Sequence, residues 1–488
     1  MSVVSSNPEP ARMPSAVRSD PRSGDKPGHT AGAPSSPLLD VIDADESRAD
    51  EHFIPLTRAA LTDRLTRPQA WPAGVADDVR RFFRYLAHWR HQRHAAELMR
   101  LVQAYEPFSP DSDLFVTRAY SEDEIVGLKG EVLDGVERLL RQANYVAITR
   151  DNIEKMILTK ESHYGLDLKV DFQVFEQIRV HYRGASVRRE TRRKLSRFFR
   201  RQEFDVPIFR RVCVLFKLKS QAAHVEAVMR QLRISREEAT RHVRAARRHL
   251  PPQIKEDCIY VKLFKNMPRS DVEMIFPNTQ VKFRLQDKVW LGVSGGGAVG
   301  AGMFGAAGKL ALAFSNPYTA VGAVGGIGMV LFRQVTNVIN QKQRYMSIMA
   351  RHLYFHSVGD NRGVMADLAD RAAEEDFKEE ILLYSVLAKE QVNKRDLKSV
   401  DEAIEQFLAQ AFGLQIDFDV ADAYERLRAD GIIQEAADGT ITTLPPREAA
   451  LHVDAKWDKV LDQLPDIEPA AGVEIDSNAT PAGDPEAA

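Results

Sequence analysis

The chain has 488 residues, enough for two or three domains, and its 67 Lys/Arg against 69 Asp/Glu leave a net charge of −2. That balance excludes the globally basic profile of a dedicated nucleic-acid binder. Its two cysteines, Cys213 and Cys258, each sit in an alternating apolar run, which points to core thiols in a reducing compartment.

Residues 1–50 are rich in Ser, Pro, Gly and Ala and are expected to be disordered. They lack the apolar stretch of a secretory signal and the acid-free amphipathic pattern of a transit peptide. An α+β domain is expected over 51–287. Asp77 to Tyr105 reads as a long amphipathic helix with Val79, Phe82, Phe83, Leu86, Trp89, Leu98 and Leu101 as its apolar points. His88, His91 and His94 step every three residues along it, and an exposed His/Arg face is preferred to a metal site there. Ser121 and Glu124 form a capping-box signature for a helix running to Gln142. Lys169 to Val180 alternates like a strand. Arg183 to Arg201 reads as a basic helix, with Arg188, Arg189, Arg192, Arg193, Lys194 and Arg197 as candidate contacts for anionic lipid headgroups. A solvated cationic face is the competing reading, and nucleic acid is disfavoured because no module signature accompanies the charge. VCVLFKLK (Val212 to Lys219) and CIYVKLFK (Cys258 to Lys265) read as half-buried strands able to pair, with a helical segment from Ala222 to Leu250 between them. Ser270 and Glu273 suggest another capped helix. Asp271 and Glu273, two apart, would not face each other, so they read as helix-start charge and not as a catalytic pair.

The stretch 289–332 dominates the composition. Lys309 is its only charge and it holds twelve of the 28 glycines, so it reads as a transmembrane helical hairpin, 289–314 and 317–332, broken at Ser315-Asn316-Pro317. Gly292, Gly296 and Gly300 recur every four residues, as do Gly297, Ala301 and Gly305, and Gly322 with Gly326; these are the expected transmembrane packing positions. A buried hairpin in a protein core is the competing reading. The literal GxGxxG at Gly295, Gly297 and Gly300 is set aside as a dinucleotide site, because no Asp or Glu occurs between Asp287 and Asp360 to hold a ribose. Lys282, Arg284 and Lys288 precede the hairpin and Arg333, Lys342, Arg344 and Arg351 follow it, which places both flanking parts on the cytoplasmic side.

A membrane-proximal helix is expected over 333–366. His352 and His356 stand at i, i+4, but no HExxH glutamate and no third ligand accompany them. Residues 367–465 are acidic, with 23 Asp/Glu against 11 Lys/Arg. Helices are expected from Glu374 to Glu390, after a Ser399/Glu402 cap, and from Phe418 to Asp430, then a hairpin turning at Asp438-Gly439. That order is the outline of a winged helix, and its acidity suits a protein partner better than DNA. Residues 466–488 carry six acids and no base and are expected to form a disordered tail.

Ile259 to Lys265, the step from Met267 to Met274, and Phe276-Pro277 just before the glycine-rich pair resemble the domain-of-unknown-function 3754 family, which includes transmembrane protein 143 of animal mitochondria. Phe53-Ile54-Pro55-Leu56 and Leu382-Leu383-Tyr384 are similar to it as well. The resemblance spans roughly 52–444. It implies an integral membrane protein and transfers no catalytic residue. The expected fold class is therefore α+β, mainly helical, with one two-helix transmembrane hairpin, in a bacterial inner membrane or, alternatively, a mitochondrial one. The leading functional expectation is a membrane-anchored scaffold or adaptor with no cofactor, contacting lipid headgroups, a protein partner through the C-terminal domain, or further copies of itself. A glycine-zipper pore or transport element is the alternative, and an enzyme is third.

Overall fold

The computed structural model of the chain describes residues 51–113, 118–149, 151–153, 167–193, 201–248, 250–282, 347, 350–351, 353–462 and 472–474. Thr57 accepts a hydrogen bond from the Ala60 N–H and opens α1 (Arg58–Leu65). Gly74, at φ +83°, turns the chain into α2 (Val75–Tyr105), whose helical period buries Val79, Phe82, Phe83, Leu86 and Leu101. After β1 (Arg118–Ala119), the reciprocal Ser121–Glu124 box starts α3 (Glu122–Gln142). Next come β2 (Val146–Ile148), β3 (Asp167–Lys169), β4 (Phe175–Arg193) and β5 (Arg201–Leu218). The helical segment expected from Ala222 to Leu250 holds two helices, α4 (Gln221–Leu232) and α5 (Arg236–Arg247), with Arg233 in the left-handed region between them. Then follow β6 (Ile259–Pro268), β7 (Gln280–Lys282), β8 (Ser357–Asp360) and α6 (Asn361–Leu387). The C-terminal elements are β9 (Val392–Asn393), α7 (Leu397–Phe412), α8 (Val420–Ala429), β10 (Ile433–Glu435), β11 (Thr440–Thr443), α9 (Pro446–Asp458) and β12 (Val473–Glu474).

The main sheet is antiparallel in the order β2-β4-β5-β6-β8. Period-two alternation decides which side of it each residue joins. Cys213, Leu215, Ile259, Val261 and Leu263 pack under α2, α3 and the first half of α6. Val212, Val214, Phe216, Tyr260 and Phe264 pack on the other face against Phe172, Phe175 and Phe276. The expected pairing of the two alternating strands holds, in the register Cys213 to Leu263. Both cysteines are free and buried, and burial pushes both thiols up.

Helix α6 belongs to two cores. Val364, Met365, Leu368 and Ala372 face the sheet, whereas Phe377, Ile381, Leu383 and Tyr384 pack with Val79, Phe82, Phe83 and Leu86. The second core also takes Val400, Ile404 and Leu408 of α7, Leu427 of α8 and Val453 of α9. A small sheet of order β10-β11-β9 completes this end.

Several expectations are corrected. Among the described residues no helix is long and apolar enough to cross a membrane. The longest, α2 and α6, are interrupted by charges such as Arg90, Glu375, Asp376, Lys378 and Glu380, which are buried against protein partners. The integral-membrane class, its transmembrane character and the inner-membrane or mitochondrial location are therefore withdrawn. The hairpin 289–332 that carried them lies outside the described residues. The fold is α+β. Residues 1–50 also lie outside the described set, and so does most of 333–352 of the helix expected over 333–366; the described remainder is not one helix, because β8 (Ser357–Asp360) interrupts it before α6.

Of the basic helix expected over 183–201, Arg183 to Arg193 is instead part of strand β4, Arg201 opens β5, and 194–200 lie outside the described residues. Val180, Tyr182 and Val187 find Val214, Val212 and Pro207 across the ladder, and that pairing overrides local helix propensity. The Ser270 cap gives way to a 3₁₀ helix, Arg269–Ile275, that follows Pro268 with no side-chain cap; Asp271 does stand in its first turn, as expected of helix-start charge, whereas Glu273 lies past that turn, and both are buried. Ser399 is the third residue of α7 and not its cap. Within the expected disordered tail, Val473–Glu474 pairs with Arg118–Ala119.

Candidate functional site

Gly184, at φ +71°, and Asn266, at φ +50°, break the regular twist of β4 and β6 at one cross-strand line, since Arg183 lies opposite Arg211 and Arg211 opposite Lys265 on one side of it. A Cβ at Gly184 would stand 3.0 Å from both the Arg210 Cδ and the Phe53 ring, so the glycine permits their approach. The result is a cleft of about 440 Å³ lined by Phe53, Arg183, Arg210, Arg211, Lys265, Asn266 and Arg371. Arg183, Arg211 and Lys265 are direct neighbours in one row across three strands, an arrangement that like charges resist.

Three carboxylates partly balance these cations. The Arg183 Nη2 donates to Glu375 at 2.7 Å, and Lys378 Nζ donates to the same oxygen at 2.6 Å. Arg371 forms a bidentate pair with Asp367 at 2.6 and 3.1 Å. Burial opposes the Arg371 charge, and Asp367 more than offsets it, so its pKa is raised. Arg210 is held by both oxygens of Glu51 at 3.1 and 3.2 Å. Among the described residues Arg211 and Lys265 have no ion pair. Burial first, then the nearby Arg371 guanidinium, holds Arg211 below its ordinary value. Arg183 is 6% exposed, and its Nε and Nη1 find no hydrogen-bond acceptor among the described residues, although Phe53 lies 4.3 Å from its guanidinium carbon. The arrangement is suited to holding an oxyanion.

A second charged cluster lies where α2, α6, α8 and α9 meet. Arg90 donates to Glu380 at 2.7 Å and pairs with Asp430; Arg426 pairs with Glu379, Glu380 and Asp376; Lys456 and the Trp89 indole donate to Asp430 at 3.0 and 3.2 Å. Burial pushes Glu379 up to about 8, against the pull of Arg426. Burial also opposes the charge of Asp376, but His94 at 2.8 Å and Arg426 overcome it and hold that carboxyl low. These groups clamp the helices together, and their partners fill the space between them. His94 and Arg90 are thus buried, which corrects the exposed His/Arg face; His88 does remain exposed.

Gly292, Gly296, Gly297, Gly300, Gly305, Gly322 and Gly326 lie outside the described residues, as do Lys194 and Arg197. Arg189, Arg192 and Arg193 lie on β4 beyond the cleft, and Arg188 is exposed there. The sequence reading marked none of the cleft residues as a site. One signal was present: Gly184 interrupts an alternating strand pattern, which marks a bulge or a close approach.

The model of the family described as a protein of unknown function, DUF3754, matches residues 209–363, and the chain resembles that family. No curated protein and no solved structure matches the chain. The matched stretch contains Arg210, Arg211, Lys265 and Asn266 of the cleft.

Proposed function

We propose that the protein is a scaffold or adaptor whose cationic cleft receives an anionic group of its ligand or partner. The observation that supports this reading most directly is the row Arg183, Arg211 and Lys265, flanked by Arg371, with two buried Arg183 guanidinium nitrogens that lack an acceptor among the described residues. The reading assigns a charge to be bound and no bond to be broken. The exposed acids Asp419, which caps α8, and Asp422 and Glu425 within it line a separate groove of about 700 Å³ with Arg138 and Arg141, a surface suited to a protein partner of mixed charge. The pore alternative depended on the withdrawn hairpin and is not carried forward. Titration with multivalent oxyanions at constant ionic strength, followed by calorimetry, tests the proposal. Binding should weaken roughly tenfold or more in Arg211→Ala with Lys265→Ala, a loss of about 1.4 kcal/mol or greater. Equal binding by the double variant and the parent would sink the reading.

A further inference from the structure

We infer that the cleft takes a phosphoryl group, and that this group enters by displacing the Glu51 carboxylate from Arg210 and so releases the start of the 51–56 strap. The inference rests on the cleft reading above. Five cations, Arg183, Arg210, Arg211, Arg371 and Lys265, face three carboxylates, Glu51, Glu375 and Asp367, one of which also serves Lys378. A monoanion exchanged for Glu51 would leave that excess unchanged. A dianion with tetrahedrally placed oxygens reduces it and offers acceptors to Arg210, to Arg211 and Lys265, which have no ion pair among the described residues, and to the Arg183 donors that lack an acceptor there. Glu375 and Asp367 lie on α6 and are fixed by it, whereas Glu51 lies outside any helix or longer strand and is the carboxylate we take to exchange. Burial also raises the Glu51 pKa despite Arg210 and Arg183, so this carboxylate is held on Arg210 against a desolvation cost.

The strap gives the exchange a consequence. The Glu51 carbonyl accepts from the Asp417 N–H at 3.3 Å, Glu51 bridges Ile416, and His52 pairs with Asp417 at 3.2 Å. Two residues on, Ile54 is fixed from both sides: its N–H donates to Glu375 at 3.0 Å and its carbonyl accepts from Lys378 at 2.7 Å. The Asn144 amide still holds the His52 carbonyl at 2.8 Å and Phe53 still covers Arg183, so displacing Glu51 frees chiefly residue 51 and loosens its contact with the segment between α7 and α8.

The test titrates the full chain with inorganic phosphate, phenyl phosphate and benzoate, and reads hydrogen exchange at the Asp417 amide. Phosphate should raise that exchange, and Glu51→Gln should raise it without ligand while tightening phosphate roughly fivefold or more. Arg210→Gln should loosen the same amide without tightening phosphate, which separates displacement from general loss of structure. Tighter phenyl phosphate would identify a phosphate monoester, and tighter inorganic phosphate the free ion; either supports phosphoryl recognition. Benzoate binding as tight as phenyl phosphate would overturn the ligand class. Phosphate binding that Glu51→Gln leaves unchanged would overturn the displacement alone. Absence of phosphate binding to both parent and Glu51→Gln would defeat the cleft reading itself.

Discussion

Single side chains in this molecule are set by partners far away in sequence. Glu379 meets Arg426 and the Asn144 amide, yet burial keeps its pKa near 8. Its folded pKa lies above the unfolded value, so its contribution is fully present below about pH 4.5 and is lost as pH rises toward 8. Glu379→Gln should therefore flatten part of the decline in unfolding free energy between pH 5 and 8, and should exceed the parent in stability by about 1–3 kcal/mol at pH 8. Urea titrations at three pH values check this; a parent whose stability rises over that range would contradict it. Arg90 acts in the opposite sense. Arg90→Met removes a buried cation from Glu380 and Asp430, but Arg426, Arg93 and Lys456 still face those carboxylates, so the cost should sit near the low end for such a loss, about 3 kcal/mol. None of this was legible from sequence. Nothing in the sequence marks Glu375, Asp376, Glu379 and Glu380 as buried, because Arg90 and Arg426 lie beyond the reach of any local pattern.

Elements were legible where their signals are local. Capping at Ser121 and alternation at Val212 to Lys219 and Cys258 to Lys265 locate α3, β5 and β6. The start of β4, Phe175 to Val180, lies in the stretch expected to be a strand, but Arg183 to Arg193 was not legible, because its basic residues satisfy helix propensity and only β5 supplies the competing ladder. Helix caps give a direct comparison. At α5 the Ser235 hydroxyl accepts from the Glu238 N–H and the Glu238 carboxylate returns the bond to the Ser235 N–H, whereas Ser399 sits exposed inside α7. Ser235→Ala should cost about 1 kcal/mol and Ser399→Ala less than about 0.5 kcal/mol, both read from denaturant midpoints. Equal costs would mean that α7 starts where the sequence pattern places its cap.

At the scale of the molecule, the candidate cleft draws Phe53 from one end of the described chain, Arg183, Arg210, Arg211 and Lys265 from the central sheet, and Arg371 from α6. No contiguous motif could announce it; only Gly184 hinted at it. The core around Tyr384 is divided in the same way, between α2 and the elements from α6 to α9. A fragment of residues 361–462 would expose the faces of Phe377, Ile381 and Tyr384 that Phe82 and Phe83 cover. That fragment should lack a cooperative thermal transition and regain one when residues 51–113 are supplied in trans; a sharp transition from the fragment alone would refute the shared core. The same division sets a timetable for biosynthesis. About 290 residues separate Leu86 from Phe377, so at ~5–20 residues per second the apolar stripe of α2 waits on the order of 15–60 s for its cover. Through that interval the nascent chain presents Val79, Phe82, Phe83 and Leu86 to water beside the ribosome, a natural client for a chaperone that holds amphipathic helices.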